Sequence, residues 1–353
     1  MQRQYFLDGI RGWGSVAVLF YHVFCDGFPL NDFSHSYLHF MPFFNGTGAV
    51  MVFFIVSGFA LAIPYFERND SQFLKRIAVA RYPRLMVPVF AISAVVHLAW
   101  ALGLVAPPAE RYDPFGNVFA VEPTLWHLLR FSLFDVFFNY SHPRSYAGPL
   151  WTMSVELLGS FLVLGAVALV PERLRFAGLL TLSLVLILFD SVYCLFIFGA
   201  LIAHCWRERY DGEIARWAMI LIVVFGLSSP FIFEYTLNRG TMMGMMCLTI
   251  ACICVASVRS FFSSSLSREL GRISFPLYLV HGPVMMMIGA PLMSTYGNNY
   301  GFLVQMAVVA ASITAAYAFI PINDVALIFS RATAKRFLRE KSALPRPEKQ
   351  VGR

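Results

Sequence analysis

The sequence predicts an all-α polytopic integral membrane protein with about ten transmembrane helices. Hydrophobic side chains make up 58% of the 353 residues, charged side chains only 13%, and the mean hydropathy is +0.65. Soluble domains carry about 25% charged residues. Apolar runs of about 20 residues, the length that spans a bilayer, recur along the whole chain. A soluble globular protein is therefore excluded.

Ten apolar segments follow one another along the chain. The fifth and sixth are only about 15 residues each, shorter than a usual span, so they form either a hairpin of two short helices around Asp190 or one bent helix. The predicted segments are residues 10–28, 43–66, 85–106, 149–170, 176–190, 191–206, 214–234, 240–258, 273–293 and 301–329.

The distribution of basic residues predicts the orientation in the membrane. Most of the 27 Lys and Arg residues fall in alternate loops and near the two ends, whereas acids such as Asp26, Asp32 and Asp135 collect in the other loops. Cytoplasmic loops are enriched in Lys and Arg, so ten spans with both termini in the cytoplasm fit best. Topology thus explains the formal net charge of +7, and no nucleic-acid partner is expected.

Two stretches lie outside the predicted spans. Residues 107–148 form a long outer loop, in which the aromatic-rich piece 125–140 is predicted as an interfacial helix that roofs an outward-facing cavity. Residues 331–353 form a tail with eight basic and two acidic residues, predicted to be cytoplasmic and close to anionic membrane lipids. The remainder, residues 1–330, is one membrane domain. The six cysteines have spacings of neither a disulfide framework nor a zinc site, so no metal is expected.

The first span carries two ionisable side chains, which are costly inside a membrane and indicate function. Arg11 and His22 are eleven positions apart, so on a helix they lie about 16 Å apart on one face. A snorkelling anchor would also explain Arg11, and an interhelical hydrogen bond would also explain His22. Glu156 reaches a similar depth from the outer end of the fourth span. We therefore expect its carboxylate to orient the His22 imidazole.

Basic residues cluster immediately before the third span, at Lys75, Arg76, Arg81 and Arg84. Guanidinium groups at this depth suit a phosphate or pyrophosphate, because Arg pairs with phosphate oxygens in a bidentate manner. Topology alone would also place basic residues in this cytoplasmic loop.

A second polar set lies on the ninth span, where Ser274, Tyr278 and His281 follow at steps of four and three and share one face. His281 would lie about 11 Å from the cytoplasmic surface, too deep for a loop histidine. Three further polar or aromatic residues are interpreted as helix contacts or interfacial anchors rather than catalysts. They are Ser57, Trp151 and Ser154.

Together these pieces resemble the membrane-bound acyltransferase family 3, which includes bacterial O-antigen and exopolysaccharide O-acetyltransferases. The resemblance covers about residues 10–330. Near the tenth span the chain departs from the family, because PIND, with Asp324, stands where many members carry Glu-x-Pro. Five motifs match in order: Arg-x10-His at Arg11 and His22, FFxxSGF at 53–59, Arg-xx-Arg-Leu at 81–85 with Pro88 following, WxxSxE at 151–156, and Ser-xxx-Tyr-Leu-x-His at 274–281.

The resemblance implies a membrane-bound O-acyltransferase of the bacterial inner membrane, with residues 1–330 as its acyltransferase domain. The implied donor is acyl-CoA, usually acetyl-CoA, and the implied acceptor is a hydroxyl of a surface or lipid-linked polysaccharide. Other polysaccharide-assembly proteins are candidate partners. His22 would be the catalytic base or an acyl relay, with Arg11 and Glu156 as further catalytic residues. The residues expected to contact CoA are Arg81, Arg84, Ser274, Tyr278 and His281. Arg11 is expected to meet the CoA phosphates together with Arg81 and Arg84 on the cytoplasmic side.

Two other functional classes stay open at the level of sequence. Ten spans with buried charge also describe a transporter or flippase of a glycan precursor, which would move its substrate without covalent change. A non-catalytic scaffold in a polysaccharide-assembly complex would give no reason for Arg11, His22 and Glu156. Acyl transfer is favoured because it needs a base, a group that orients the base, and cations for the CoA phosphates.

Overall fold

The computed structural model is all-helical, with no strand in the residues that it describes. A helix pairs its backbone polar groups within one segment, as a hydrocarbon environment requires. The predicted outer-loop residues 107–117 and 122–123, and the predicted tail from 339 onward, lie outside the described part. The described residues are 4–106, 118–121, 124–207, 216–233 and 236–338.

Ten long helices within these ranges correspond in order to the ten predicted apolar segments. They are α1 (Tyr5–Phe20), α2 (Gly46–Arg68), α3 (Ser71–Ala101), α4 (Thr152–Leu169), α5 (Arg175–Leu188), α6 (Tyr193–Arg207), α7 (Arg216–Ile232), α8 (Arg239–Cys254), α9 (Ser265–Val284) and α10 (Ala290–Phe337).

Several of these helices are long and apolar enough to cross a membrane. The short helix Ala256–Phe262 follows α8 at a bend of 89°, and the two together make a further candidate span. The count of ten spans and the cytoplasmic position of both termini stay predictions. The four stretches that meet the length and hydropathy requirements individually are Gly46–Arg68, Ser71–Ala101, Gly148–Leu169 and Ser265–Phe337, the last of which contains both α9 and α10.

Capping residues set the boundary between α2 and α3. Asn69 ends α2 in a left-handed conformation with φ of 49°, and the Asp70 carboxylate accepts a hydrogen bond of 2.8 Å from the Gln72 amide at the start of α3. Because α3 therefore begins well before the predicted residue 85, Arg81 and Arg84 lie inside the helix and not in a loop ahead of it. The prediction of a basic loop at this point is wrong.

The two short segments form the hairpin that was one of the predicted alternatives. α5 and α6 pack on each other, and Asp190 lies between them with φ of 50°. Arg239, at the start of α8, donates from Nε and Nη2 to the two Asp190 carboxylate oxygens at 3.1 and 2.8 Å. These hydrogen bonds hold the pKa of Asp190 below its usual value and fasten the hairpin to α8.

Local irregularities occur in the first and the last helices. α1 continues as a π-helix over Tyr21–Gly27, which contains His22. π-Helical turns are rare and frequently occur at functional sites. α10 is interrupted at Tyr300 (φ −132°, ψ 24°), next to the predicted start of the tenth segment. Since α10 runs to Phe337, the first residues of the predicted solvated tail are helical.

Glycines bring the central helices into close contact. A Cβ atom on Gly58 of α2 would overlap the carbonyl of Phe196 in α6, and a Cβ on Gly199 of α6 would overlap the carbonyl of Ile55 in α2. In lipid, small residues at a helix crossing allow the backbones to approach and form dispersion contacts. α1 packs in turn on α2 and α9, and α3 packs on α10. The polar residues predicted from sequence lie among these helices.

Candidate active site

A cavity of about 430 Å³ lies between α1, α2, α9 and the segment that precedes α4, and we call it the outer cavity. Ligand pockets have volumes of about 300–1,000 Å³, so it is large enough for a small substrate. In the described part of the chain, its histidine and acidic side chains are His22 and Asp26 from the end of α1, His281 from α9, and His142 from the segment before α4. Tyrosine hydroxyls also line it, from Tyr21, Tyr146 and Tyr278.

His22 pairs with an aspartate of its own helix. His22 Nδ1 lies 3.1 Å from Asp26 Oδ2, one helical turn later. An ionised carboxylate only accepts hydrogen bonds, so Nδ1 donates, and in the neutral imidazole Nε2 then carries the lone pair. This tautomer suits a general base or a nucleophile, and the carboxylate would stabilise the imidazolium formed when Nε2 takes a proton.

His281 stacks on His22, with ring centroids 5.3 Å apart and ring planes inclined by 26°. Its Nδ1 donates a 3.1 Å hydrogen bond to the Leu277 carbonyl, and its buried Nε2 has no hydrogen-bond partner in the structure. α9 begins at Ser265, before the predicted residue 273, so His281 lies about 24 Å along this helix and not about 11 Å. His281 therefore lies with His22 in the outer cavity.

A smaller cavity of about 130 Å³ lies between α1, α2, α3, α4 and α9, and we call it the inner cavity. Its charged lining residues in the described part of the chain are Arg11, Arg81, Arg84 and Glu156. Three guanidinium groups and one carboxylate give this lining an excess of positive charge, so the cavity attracts anions. The grouping of Arg11 with Arg81 and Arg84 follows the sequence analysis, and Ser274 also lines this cavity.

Glu156 belongs to the arginine cluster of the inner cavity. Its carboxylate forms an ion pair with Arg81 and accepts a 2.7 Å hydrogen bond from Ser57 Oγ. Arg81 Nε also donates to Ser160 Oγ at 2.7 Å. The predicted contact between Glu156 and His22 is therefore wrong. Similar depth on two different helices does not bring side chains together.

Arg84 connects the inner cavity to the last helix. Its Nη1 donates a long hydrogen bond of 3.5 Å to the carbonyl of Asn323 in α10, and its guanidinium carbon lies 5.5 Å from the centre of the Phe275 ring. Asn323 belongs to the PIND sequence that replaces Glu-x-Pro. α10 thus contacts the arginine cluster through a backbone carbonyl. This contact does not need a glutamate side chain.

The two cavities adjoin, because Val50 and Tyr278 line both of them. Along α1, Arg11 lines the inner cavity and His22 the outer one. α2 runs the opposite way, from Gly46 at the outer cavity toward the inner one. Consecutive spans are expected to alternate in direction in this manner.

The described part of the predicted outer loop covers the outer cavity, but through residues other than those expected. Val118 and residues 142 and 146–149 line the cavity, whereas the helical piece from 125 to 138 lies beside it. That piece exposes Trp126 and Phe138 and buries Phe131. This amphipathic pattern fits the predicted interfacial helix.

The three residues interpreted as helix contacts or interfacial anchors have different surroundings. Trp151 lines the outer cavity. Ser57 of α2 donates a hydrogen bond to Glu156 of α4, which agrees with a helix contact, and Ser154 lines neither cavity. Asp26 was missed as a partner of His22, although their spacing of four in a helix gave the signal. His142 was missed because it lies in an irregular segment, where spacing predicts no common face.

Residues 4–320 match the family model described as "Acyltransferase domain", which covers nearly the whole chain. The chain belongs to acyltransferase family 3. This confirms the resemblance drawn from the five motifs. As a member of this family with several long apolar helices, the protein is a membrane acyltransferase. It is 24% identical over 365 aligned residues to the O-acetyltransferase PaAT-1 of Phomopsis amygdali, covering 81% of this chain and 73% of the relative. No solved structure matches the chain.

Proposed function

We propose that the protein transfers an acetyl group from cytoplasmic acetyl-CoA to a hydroxyl of a surface or lipid-linked polysaccharide. The observation that carries this proposal is the His22–Asp26 pair in a cavity that adjoins a cluster of three arginines. The printed name of the relative, an O-acetyltransferase, supports transfer of acetyl to oxygen. We place the enzyme in a bacterial inner membrane, in line with the family resemblance.

The donor would bind from the cytoplasmic side. CoA carries phosphate groups, and Arg11, Arg81 and Arg84 offer guanidinium groups of the geometry that phosphate oxygens accept. The inner cavity is smaller than a usual ligand pocket. It would therefore hold only the part of the donor next to the arginines, with the acyl-bearing arm reaching past Val50 and Tyr278 toward His22 and the remainder of CoA extending toward the cytoplasm.

The reaction would take place where the two cavities meet. His22 Nε2 takes the proton of the acceptor hydroxyl while the hydroxyl oxygen attacks the thioester carbonyl carbon. The C–S bond then breaks, the proton on His22 passes to the CoA sulfur, and the products are the O-acetyl ester and CoA. The same tautomer serves an acyl relay, in which Nε2 attacks the thioester carbon and the C–S bond breaks to release the CoA thiolate. The hydroxyl oxygen then attacks the acetyl carbon, the bond to Nε2 breaks, and the hydroxyl proton passes to the thiolate.

Asp26 would assist either route by accepting the hydrogen bond from Nδ1 of His22. Its negative charge compensates the positive charge that develops on the imidazole. His142 and Trp151 line the same cavity and would contact the acceptor. Aromatic rings beside hydrogen-bonding groups suit the mixed polar and apolar surface of a sugar.

Proton NMR of the surface polysaccharide of a bacterial host tests this function. A deletion strain would be complemented with wild type, with His22→Ala or with His39→Ala, which removes a half-buried histidine outside both cavities. We expect acetyl signals to disappear in the deletion strain and to return with wild type and His39→Ala only. Acetyl signals restored by well-expressed His22→Ala would refute the role of His22. Intact acetylation with loss of polymer export would favour a transporter.

A further inference from the structure

The wall between the two cavities consists of few side chains. Among the described residues, Val50 of α2 and Tyr278 of α9 are the two that line both cavities. In the proposed function, the CoA sulfur approaches from the inner cavity and the acceptor hydroxyl from the outer one. The acyl carbon has to be within reach of both, so it must lie beside these two side chains.

Hydrogen bonds fix the position of Tyr278. Its hydroxyl lies 2.9 Å from Thr152 Oγ1 and donates to the Pro149 carbonyl at 3.1 Å. Phe53 packs edge-on against its ring, with centroids 5.8 Å apart. Since the hydroxyl is bound to the start of α4 and the ring is packed, Tyr278 forms a rigid side of the passage.

Val50 is a similarly rigid group on α2, the other helix that contributes a residue to both cavities. It is buried in the interior of α2, and a β-branched side chain in a helix has one strongly preferred rotamer. Close-packed interiors do not make room for an additional methylene without a cost. The space between the Val50 methyl groups and the Tyr278 ring is therefore set by the sequence and does not adapt to the ligand.

We propose that Val50 and Tyr278 form a constriction that selects the acyl group by size, admitting acetyl and excluding longer chains. The inference rests on the proposed function and adds the donor specificity of the same site. The first carbon beyond the acetyl methyl would have to occupy the volume now taken by Val50 or by the Tyr278 ring. Reducing Val50 provides that volume and leaves His22, Asp26 and the three arginines in place.

The test measures transfer from acetyl-, propionyl- and butyryl-CoA by the purified full-length enzyme in detergent, with the host polysaccharide as acceptor. Val50→Ala should raise the ratio of propionyl to acetyl transfer by about 10-fold, the factor that one misfitting methylene commonly costs in a binding pocket. Val50→Ile adds a methylene, so it should lower the ratio of propionyl to acetyl transfer. The two variants shift the specificity in opposite directions, which a general loss of folding cannot do.

Val56→Ala is the matched control, because Val56 lies buried in the same helix and lines neither cavity. It should leave both ratios as in wild type. Unchanged ratios in Val50→Ala and Val50→Ile, with acetyl transfer retained, would overturn the constriction and leave the proposed function intact. Efficient butyryl transfer by wild type would also overturn it. A folded wild-type enzyme that transfers no acyl group would refute the proposed function itself, and the constriction with it.

Discussion

Two carboxylates of the site have different partners, and their partners assign them different roles. Asp26 contacts His22 in the outer cavity, whereas Glu156 contacts Arg81 in the inner cavity. A carboxylate next to an imidazole acts on proton transfer, since it stabilises the protonated ring. A carboxylate next to a buried guanidinium compensates a charge that would otherwise be isolated. Substitution of each carboxylate should therefore affect a different property.

Asp26→Asn should lower kcat by about 10²-fold and leave the KM for acetyl-CoA close to that of wild type, because general-base catalysis loses the group that orients and stabilises His22. Steady-state kinetics of the purified enzyme measure both constants. The control is Asp32→Asn, an exposed aspartate outside both cavities. An increase in KM with unchanged kcat would contradict this role for Asp26.

Glu156→Gln should reduce stability more than any other single carboxylate substitution in this region, by about 3 kcal/mol, because it leaves the mostly buried Arg81 without its counter-charge. Thermal unfolding in detergent measures the change. Glu67→Gln, at an exposed position near the end of α2, is the control and should unfold as wild type does. A Glu156→Gln protein of normal stability with kcat as low as that of Asp26→Asn would restore the original prediction that Glu156 serves His22.

At the scale of helices, the sequence predicts the existence and order of the elements well, because ten apolar runs separated by polar residues leave little choice. The residues at which the helices begin and end are less predictable. α3 begins at Ser71, earlier than predicted, because the polar stretch before residue 85 is also helical, with Lys75 and Arg76 exposed and Arg81 and Arg84 lining the inner cavity. The hydropathy of residues 71–84 alone does not reveal this.

Gly58→Ala should reduce the yield of folded protein, because the new methyl group would overlap the Phe196 carbonyl where α2 crosses α6. Gly165→Ala is a control in α4, where an added Cβ meets no atom within 4 Å. The control should be neutral or stabilising, since alanine favours a helix over glycine by about 1 kcal/mol. Size-exclusion chromatography in detergent distinguishes the two. Equal monodisperse yields of both variants would show that the crossing is not tightly packed.

For the whole molecule, the sequence predicts which residues are functional better than it predicts which of them touch. The arginines Arg11, Arg81 and Arg84 line one cavity as expected. The sequence predicts this because all three lie near the same end of their helices. The partners of His22 and Glu156 depend on how helices rotate about their own axes. Rotation is set by the packing of many apolar side chains, which sequence spacing within one helix does not encode.

The predicted topology gives a direct measurement. In a variant without native cysteines, Asp32→Cys should react with a membrane-impermeant maleimide in intact cells, and Arg173→Cys should react only after permeabilisation. Both positions are exposed, and the ten-span arrangement places them on opposite sides. Labelling of both residues from the same side would reject ten spans.

The hairpin of α5 and α6 has a consequence for the surrounding lipid. Helices of 14 and 15 residues are about 21–23 Å long, whereas the hydrocarbon core of a bilayer is about 30 Å thick. In the predicted ten-span topology both helices cross the bilayer, and the resulting hydrophobic mismatch would be relieved by local thinning of the bilayer. Lipids beside the hairpin should therefore have compressed acyl chains, and the protein should be more stable in bilayers of short-chain lipids than in thick ones.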